Sequence, residues 1–106
     1  MGVQAWTPFG GTQTFTAAVT APPAVQAIGT TLGPNQYRII NAGSTLVFLG
    51  VAVSAAAAET NASAVVSSIP LLPGTDEILT FAPNAWFSGT TAAGTAVIYI
   101  TPGDGL

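Results

Sequence analysis

Apolar and polar residues alternate with a period of two through much of this chain. Between residues 95 and 101, Ala96, Ile98 and Ile100 fall on one side, and Thr95, Val97, Tyr99 and Thr101 on the other. That is the pattern of a strand with one face in a core and one outside it. Between 77 and 82, Leu79 and Phe81 alternate in the same way with Ile78, Thr80 and Ala82. Residues 45–53 are apolar on both sides, with Leu46 and Phe48 opposite Val47, Leu49, Val51 and Val53, which predicts a central strand covered on both faces. Further strands are predicted over 12–20, 37–41 and 64–69.

The breaks between these segments carry turn chemistry: Pro22-Pro23, Gly33-Pro34-Asn35, Ala42-Gly43, Leu72-Pro73-Gly74, Pro83-Asn84 and Pro102-Gly103. Short strands punctuated this often point to a sandwich or barrel rather than to βαβ units. The expected fold is all-β: a single small β-sandwich or jelly-roll-like barrel with an extended N-terminal segment. Residues 1–106 read as one β domain, with 36–101 as its core and 1–32 as an N-terminal arm plus the first strand. The arm is preferred because Trp6 and Phe9 sit in a Pro- and Gly-containing lead segment and residues 21–32 show no regular alternation. Ala55 to Ala62 admits either a helical turn, Ala being the best helix former, or a loop. The loop is preferred because an isolated turn is costly to nucleate.

Composition changes the picture through charge. The 106 residues are 49% hydrophobic but only 5% charged, with Arg38 the single basic residue and Glu59, Asp76, Glu77 and Asp104 the acidic ones. A soluble domain averages about 25% charged residues. So little charge gives weak repulsion between copies, and uncharged Thr-bearing faces suit contact with another chain. A lone Arg cannot track a phosphate backbone or hold an acidic lipid surface, so neither nucleic acid nor membrane is an expected partner. The longest low-polarity run, residues 46–58, falls short of the roughly 20 residues that a membrane-spanning helix needs. The N-terminus lacks the charged and apolar regions of a signal peptide, and Trp6 stands where a myristoylation motif requires Ser or Thr.

With no His and no Cys, the usual activated-nucleophile arrangements cannot be built, and no thiolate zinc site or disulfide framework exists. Asp76 and Glu77 are adjacent, so on a strand they point to opposite faces and make a poor acid/base pair. Nothing in the spacing of the acids suggests a calcium loop. The Asn61-Ala62-Ser63 sequon reads as a chance match. The expectation is a protein that is not an enzyme and uses no cofactor or metal. The candidate interface residues are Trp6, Phe9, Arg38, Trp86 and Phe87. Arg38, in a predicted strand, is expected either to pair with Asp76 or Glu77 or to stand as an ordinary surface residue. Trp6 and Phe9 either tuck over the barrel or anchor a partner, and Trp86-Phe87 could stack on a sugar. Phe48 and Phe81 read as core.

Three stretches, Arg38-Ile39-Ile40-Asn41-Ala42-Gly43, Pro70-Leu71-Leu72-Pro73-Gly74 and Gly94 through Gly105, carry a resemblance. Over about the last 70 residues the chain resembles the small β-sandwich or jelly-roll capsid decoration (cement) proteins of tailed bacteriophages. The resemblance implies a virion structural protein on the capsid exterior, forming dimers or trimers and stapling neighbouring major capsid protein subunits. It carries over no site residues. A carbohydrate- or receptor-binding β module, or a subunit of another self-assembling shell or fibre, fits the same composition.

Overall fold

A computed structural model describes residues 6–8, 10–27, 36–64 and 67–105, and of Trp6, Thr7, Asp104 and Gly105 the backbone alone. Its elements in chain order are β1 (Trp6–Pro8), β2 (Gln13–Ala17), β3 (Val25–Gln26), β4 (Gln36–Asn41), β5 (Val47–Ala52), α1 (Ala55–Ser63), β6 (Ile69–Leu71), β7 (Asp76–Thr80), β8 (Trp86–Thr91) and β9 (Ala96–Gly105). They form two antiparallel sheets in a β-sandwich. The five-stranded sheet runs β1-β9-β4-β7, with β2 also paired to β9, and the four-stranded sheet runs β3-β8-β5-β6. Every step from β2 to β5 and from β6 to β9 changes sheet, so strands adjacent in sequence mostly face each other across the core.

The alternation read between residues 95 and 101 sorts the side chains of β9 correctly, and the neighbouring strands complete the core. Ala96, Ile98 and Ile100 of β9, Tyr37 and Ile39 of β4, Val47 and Leu49 of β5 and Phe87 of β8 are buried between the sheets. Tyr37 and Phe87 meet edge to face across the core with centroids 5.0 Å apart, and Phe81 closes the cluster at 5.8 Å from Phe87. The Tyr37 hydroxyl is satisfied on both counts: it donates to Ala82 O at 2.6 Å and accepts from Ala85 N at 3.2 Å. Asn41 is fully buried too, its Nδ2 donating to Thr45 O and Leu71 O at 3.0 and 3.1 Å, its Oδ1 accepting from Gly43 N at 3.0 Å. A buried amide with its bonds made ties the end of β4 to β6 of the other sheet without a desolvation penalty.

Several expectations are corrected. Residues 55–63 are a helix rather than a loop: Ser54 Oγ accepts from Ala57 N at the N-cap, and tertiary contact supplies what the short sequence lacks. Ala58 and Ala62 press onto β5, Asn61 Nδ2 donates to Val51 O at 3.0 Å, and Thr90 Oγ1 donates to Ala62 O at 2.6 Å. Because α1 runs to Ser63, the strand expected at 64–69 is β6, three residues at Ile69–Leu71. The first strand expected over 12–20 is β2, with Phe15 and Ala17 in the core, while within the segment expected to show no regular structure β3 pairs with β8. Residues 28–32 and Phe9 lie outside the described residues. Phe81 is half-buried against the core as expected, whereas Phe48 is half-buried on the outer side of β5, in register with Pro70 and Thr90.

Gly50 sets the seat of the helix. A Cβ there would run into Ala58 O and Ala62 N and would stand 2.8 Å from Ala62 Cα, all backbone atoms that cannot rotate away. Gly50→Ala is therefore expected to lower unfolding free energy by about 1–3 kcal/mol, as overpacking does. Gly11→Ala, with nothing within 4 Å of its Cβ position, should stay within about 0.5 kcal/mol of wild type. Urea unfolding of the two variants checks this, and equal losses would contradict the close approach.

Candidate functional site

The helix makes the two outer faces of the sandwich unequal. Outside the four-stranded sheet, α1 lies over Gly50 and bonds to Thr90. The segment after β2 lies there as well, with Pro22 O accepting from Ser88 Oγ at 2.9 Å and Ala24 N donating to Glu59 Oε2 at 2.9 Å. Outside the five-stranded sheet the described residues place no covering element. That bare face is built by the outward residues of four strands whose register sets them in rows. Thr14, Tyr99, Ile40 and Asp76 form one row, and Thr101, Arg38 and Ile78 the next. Thr16 and Val97 flank them. Tyr99 and Ile78 remain 41% and 47% exposed, so the face is open to solvent at its large apolar positions.

Arg38 stands in this face, and of the two acids considered for it the partner is Asp76. The guanidinium grips the carboxylate with both arms, Nε to Oδ1 at 2.9 Å and Nη2 to Oδ2 at 2.6 Å. The two side chains are 46% and 47% exposed. Hydrogen bonding from Arg38 holds the Asp76 carboxyl below its usual range, with burial opposing, and the same bonds raise the Arg38 pKa. Glu77, one residue along β7, pairs in register with buried Ile39, on the opposite side of the sheet.

The other candidate residues are not gathered here. Trp6 lies in β1 against Gly105 of β9, its side chain outside the description, and Phe9 lies wholly outside it. Trp86 is half-buried on the outer side of the four-stranded sheet, beside Gln26 and Ala52. Phe87 is fully buried and contributes to the core instead of a surface, so Trp86 and Phe87 do not make a shared stacking platform. Among the described residues no three acids converge as a metal-binding group. An apolar cavity of about 270 Å³ opens beside Val51, Ile69, Phe81 and Ala85, without the convergent polar groups that orient a small ligand. Asn61 of the sequon spends its amide on Val51 O.

Compared with known proteins, the chain matches no family model, no curated protein and no solved structure. The bare face therefore has to be interpreted by its own chemistry.

Edge protection is likewise local. The chain has no lysine to protect a sheet edge, but β6 carries Pro70, β3 is two residues long, and β7 exposes Asp76 and Glu77. Each of these discourages a further strand from adding on. Contact through a face is thereby favoured over contact through these edges. Tyr99, Ile40, Ile78 and Thr14 were not singled out as site residues. The signal for them was the outward half of the same alternation that identified the core.

Asp76, lowered in the folded state, contributes stability that is present above the unfolded carboxylate's pKa and lost as pH falls through the lower folded value. Thermal unfolding from pH 6 down to pH 2 should therefore show an acid-range loss of stability that shrinks in Asp76→Asn. An identical slope in the variant would mean that the pair adds nothing in solution, as many exposed pairs do.

Proposed function

We propose that this chain is a non-enzymatic structural protein that works by burying its uncharged surface against other subunits, and that its setting is a tailed-phage capsid, decorated and stabilised from outside. The observation that carries the reading is the bare outer face of the five-stranded sheet. It is broad and Thr-, Ile- and Tyr-bearing, and its one ion pair is internally neutral. Away from that pair the face costs little to desolvate where hydroxyls keep partners within the chain: Thr14 Oγ1 donates to Ile98 O at 3.0 Å, and Thr12 and Thr101 share a bond of 2.7 Å.

Each contact contributes about 25 cal/mol per Å² of apolar area, and many copies across subunit junctions raise the cost of opening a shell through avidity. The lack of His and Cys supports the non-enzymatic part of this reading, and the sequence resemblance supports the capsid setting, with the major capsid protein as the partner. Against it stands a sugar-binding module using Trp86, which is half-buried next to the polar Gln26 side chain.

Co-sedimentation with purified tailed-phage heads is the test. The expected result is saturable binding at a fixed number of copies per head, unchanged by Trp86→Ala. Failure to pellet with any head, together with glycan binding that Trp86→Ala abolishes, overturns the reading in favour of the module.

A further inference from the structure

The charges on the bare face identify its occupant. Arg38 and Asp76 lie on adjacent strands, β4 and β7, one register row apart, and are the charged groups among the described residues of that face. Such a face presents one positive and one negative group to whatever docks on it. A strongly acidic or basic partner would satisfy one of them and be repelled by the other. A second copy related by a two-fold axis near β4 satisfies both, because the rotation sets each Arg38 opposite the other subunit's Asp76. The two bidentate pairs then join in a ring of alternating charge.

We infer that the outer face of the five-stranded sheet is a self-docking surface, on which a second copy of this chain packs face to face about a two-fold axis through the Arg38–Asp76 pairs. The inference rests on the assembly reading above and names the partner for the face. Tyr99, Ile40, Ile78 and Val97 supply the apolar contact, with the Thr rows of β2 at its rim. Four strands at the usual spacing and about six residues of rise give a face of roughly 19 by 20 Å. With side-chain relief, two such faces remove on the order of 1,000 Å² from water, the small end of specific interfaces, as expected of a reversible dimer.

The test separates charge pairing from folding and from capsid binding. Light scattering on a sizing column at 10–200 µM should show wild-type protein shifting from monomer to dimer. Arg38→Glu leaves the face with two acids and Asp76→Arg leaves it with two bases, so each alone should dimerise at least tenfold more weakly. An equimolar mixture of the two should dimerise again. Recovery in the mixture also proves that both variants fold. Tyr99→Lys, at an exposed position, should weaken the dimer equally, and Thr60→Lys, on the exposed side of α1, should leave it intact.

A wild-type monomer at 200 µM overturns the inference, as does a dimer indifferent to the charge variants and Tyr99→Lys. Charge variants that stay monomeric when mixed, with wild-type melting curves, overturn it as well. A dimer that obeys the charge rule but coats no phage head leaves the self-docking surface standing and removes only the capsid setting.

Discussion

Everything in this fold hangs on the edge-to-face contact of Tyr37 and Phe87 across the two sheets. Such pairs contribute about 0.5–1.5 kcal/mol beyond their burial, but here position matters more than the increment. Tyr37 comes from β4, central in one sheet, and Phe87 from β8, central in the other. The Tyr37 hydroxyl reaches past the core to bond Ala82 O and Ala85 N on either side of the Pro83-Asn84 turn, where Asn84 takes the left-handed conformation at φ 55°. One side chain thus joins the sheets and holds the turn that carries the chain from β7 to β8. At the other end of β4, Asn41 does the same for the 42–45 loop and β6.

With the sheets so joined, the outer faces acquire different fates. Gly50 lets α1 settle onto the four-stranded sheet at backbone contact, and the small residues Ala58, Ala62, Ser88 and Thr90 complete the fit. The five-stranded sheet receives no such cover among the described residues, and with so few charges in the chain its outer residues are Thr, Val, Ile and Tyr. The covered face is packed within the chain, and the bare one is the surface we propose for association. Arg38 and Asp76, the charged pair on that face, stand half-exposed and carry no net charge together.

Much of this was legible in the sequence because period-two alternation reports directly on a half-buried strand. It located β9, β4, β5 and β7, sorted Ile98 and Ile100 from Val97 and Tyr99, and brought Arg38 to Asp76 as one of two candidates. It failed where local chemistry imitates a turn. No strand was expected at β8, where Ser88-Gly89 interrupts the apolar pattern, yet Gly89 is a core position where a Cβ would sit 2.9 Å from Phe15 Cε1, and Ser88 is held by Pro22 O. The helix was underweighted because its support comes from β5 and β8, remote in sequence. The strand expected over 12–20 is β2, but its partner was not legible, because Phe15 reaches the core through pairing with β9 more than 80 residues away, and two-residue β3 is too short to show a period. What a bare face binds is not encoded in alternation at all, and only the register that sets Arg38 beside Asp76 gives it a direction.

The central claim is that the outer face of the five-stranded sheet is the surface this chain buries when it assembles. Methyl NMR with a soluble paramagnetic agent, recorded on dilute and concentrated protein, reads that face residue by residue. The account predicts that the methyls of Ile40, Ile78 and Val97 lose their exposure to the agent as concentration rises, while those of Ala56 and Thr60 on α1 keep theirs. Protection appearing on α1 instead, or on no methyl of the five-stranded sheet, would contradict it.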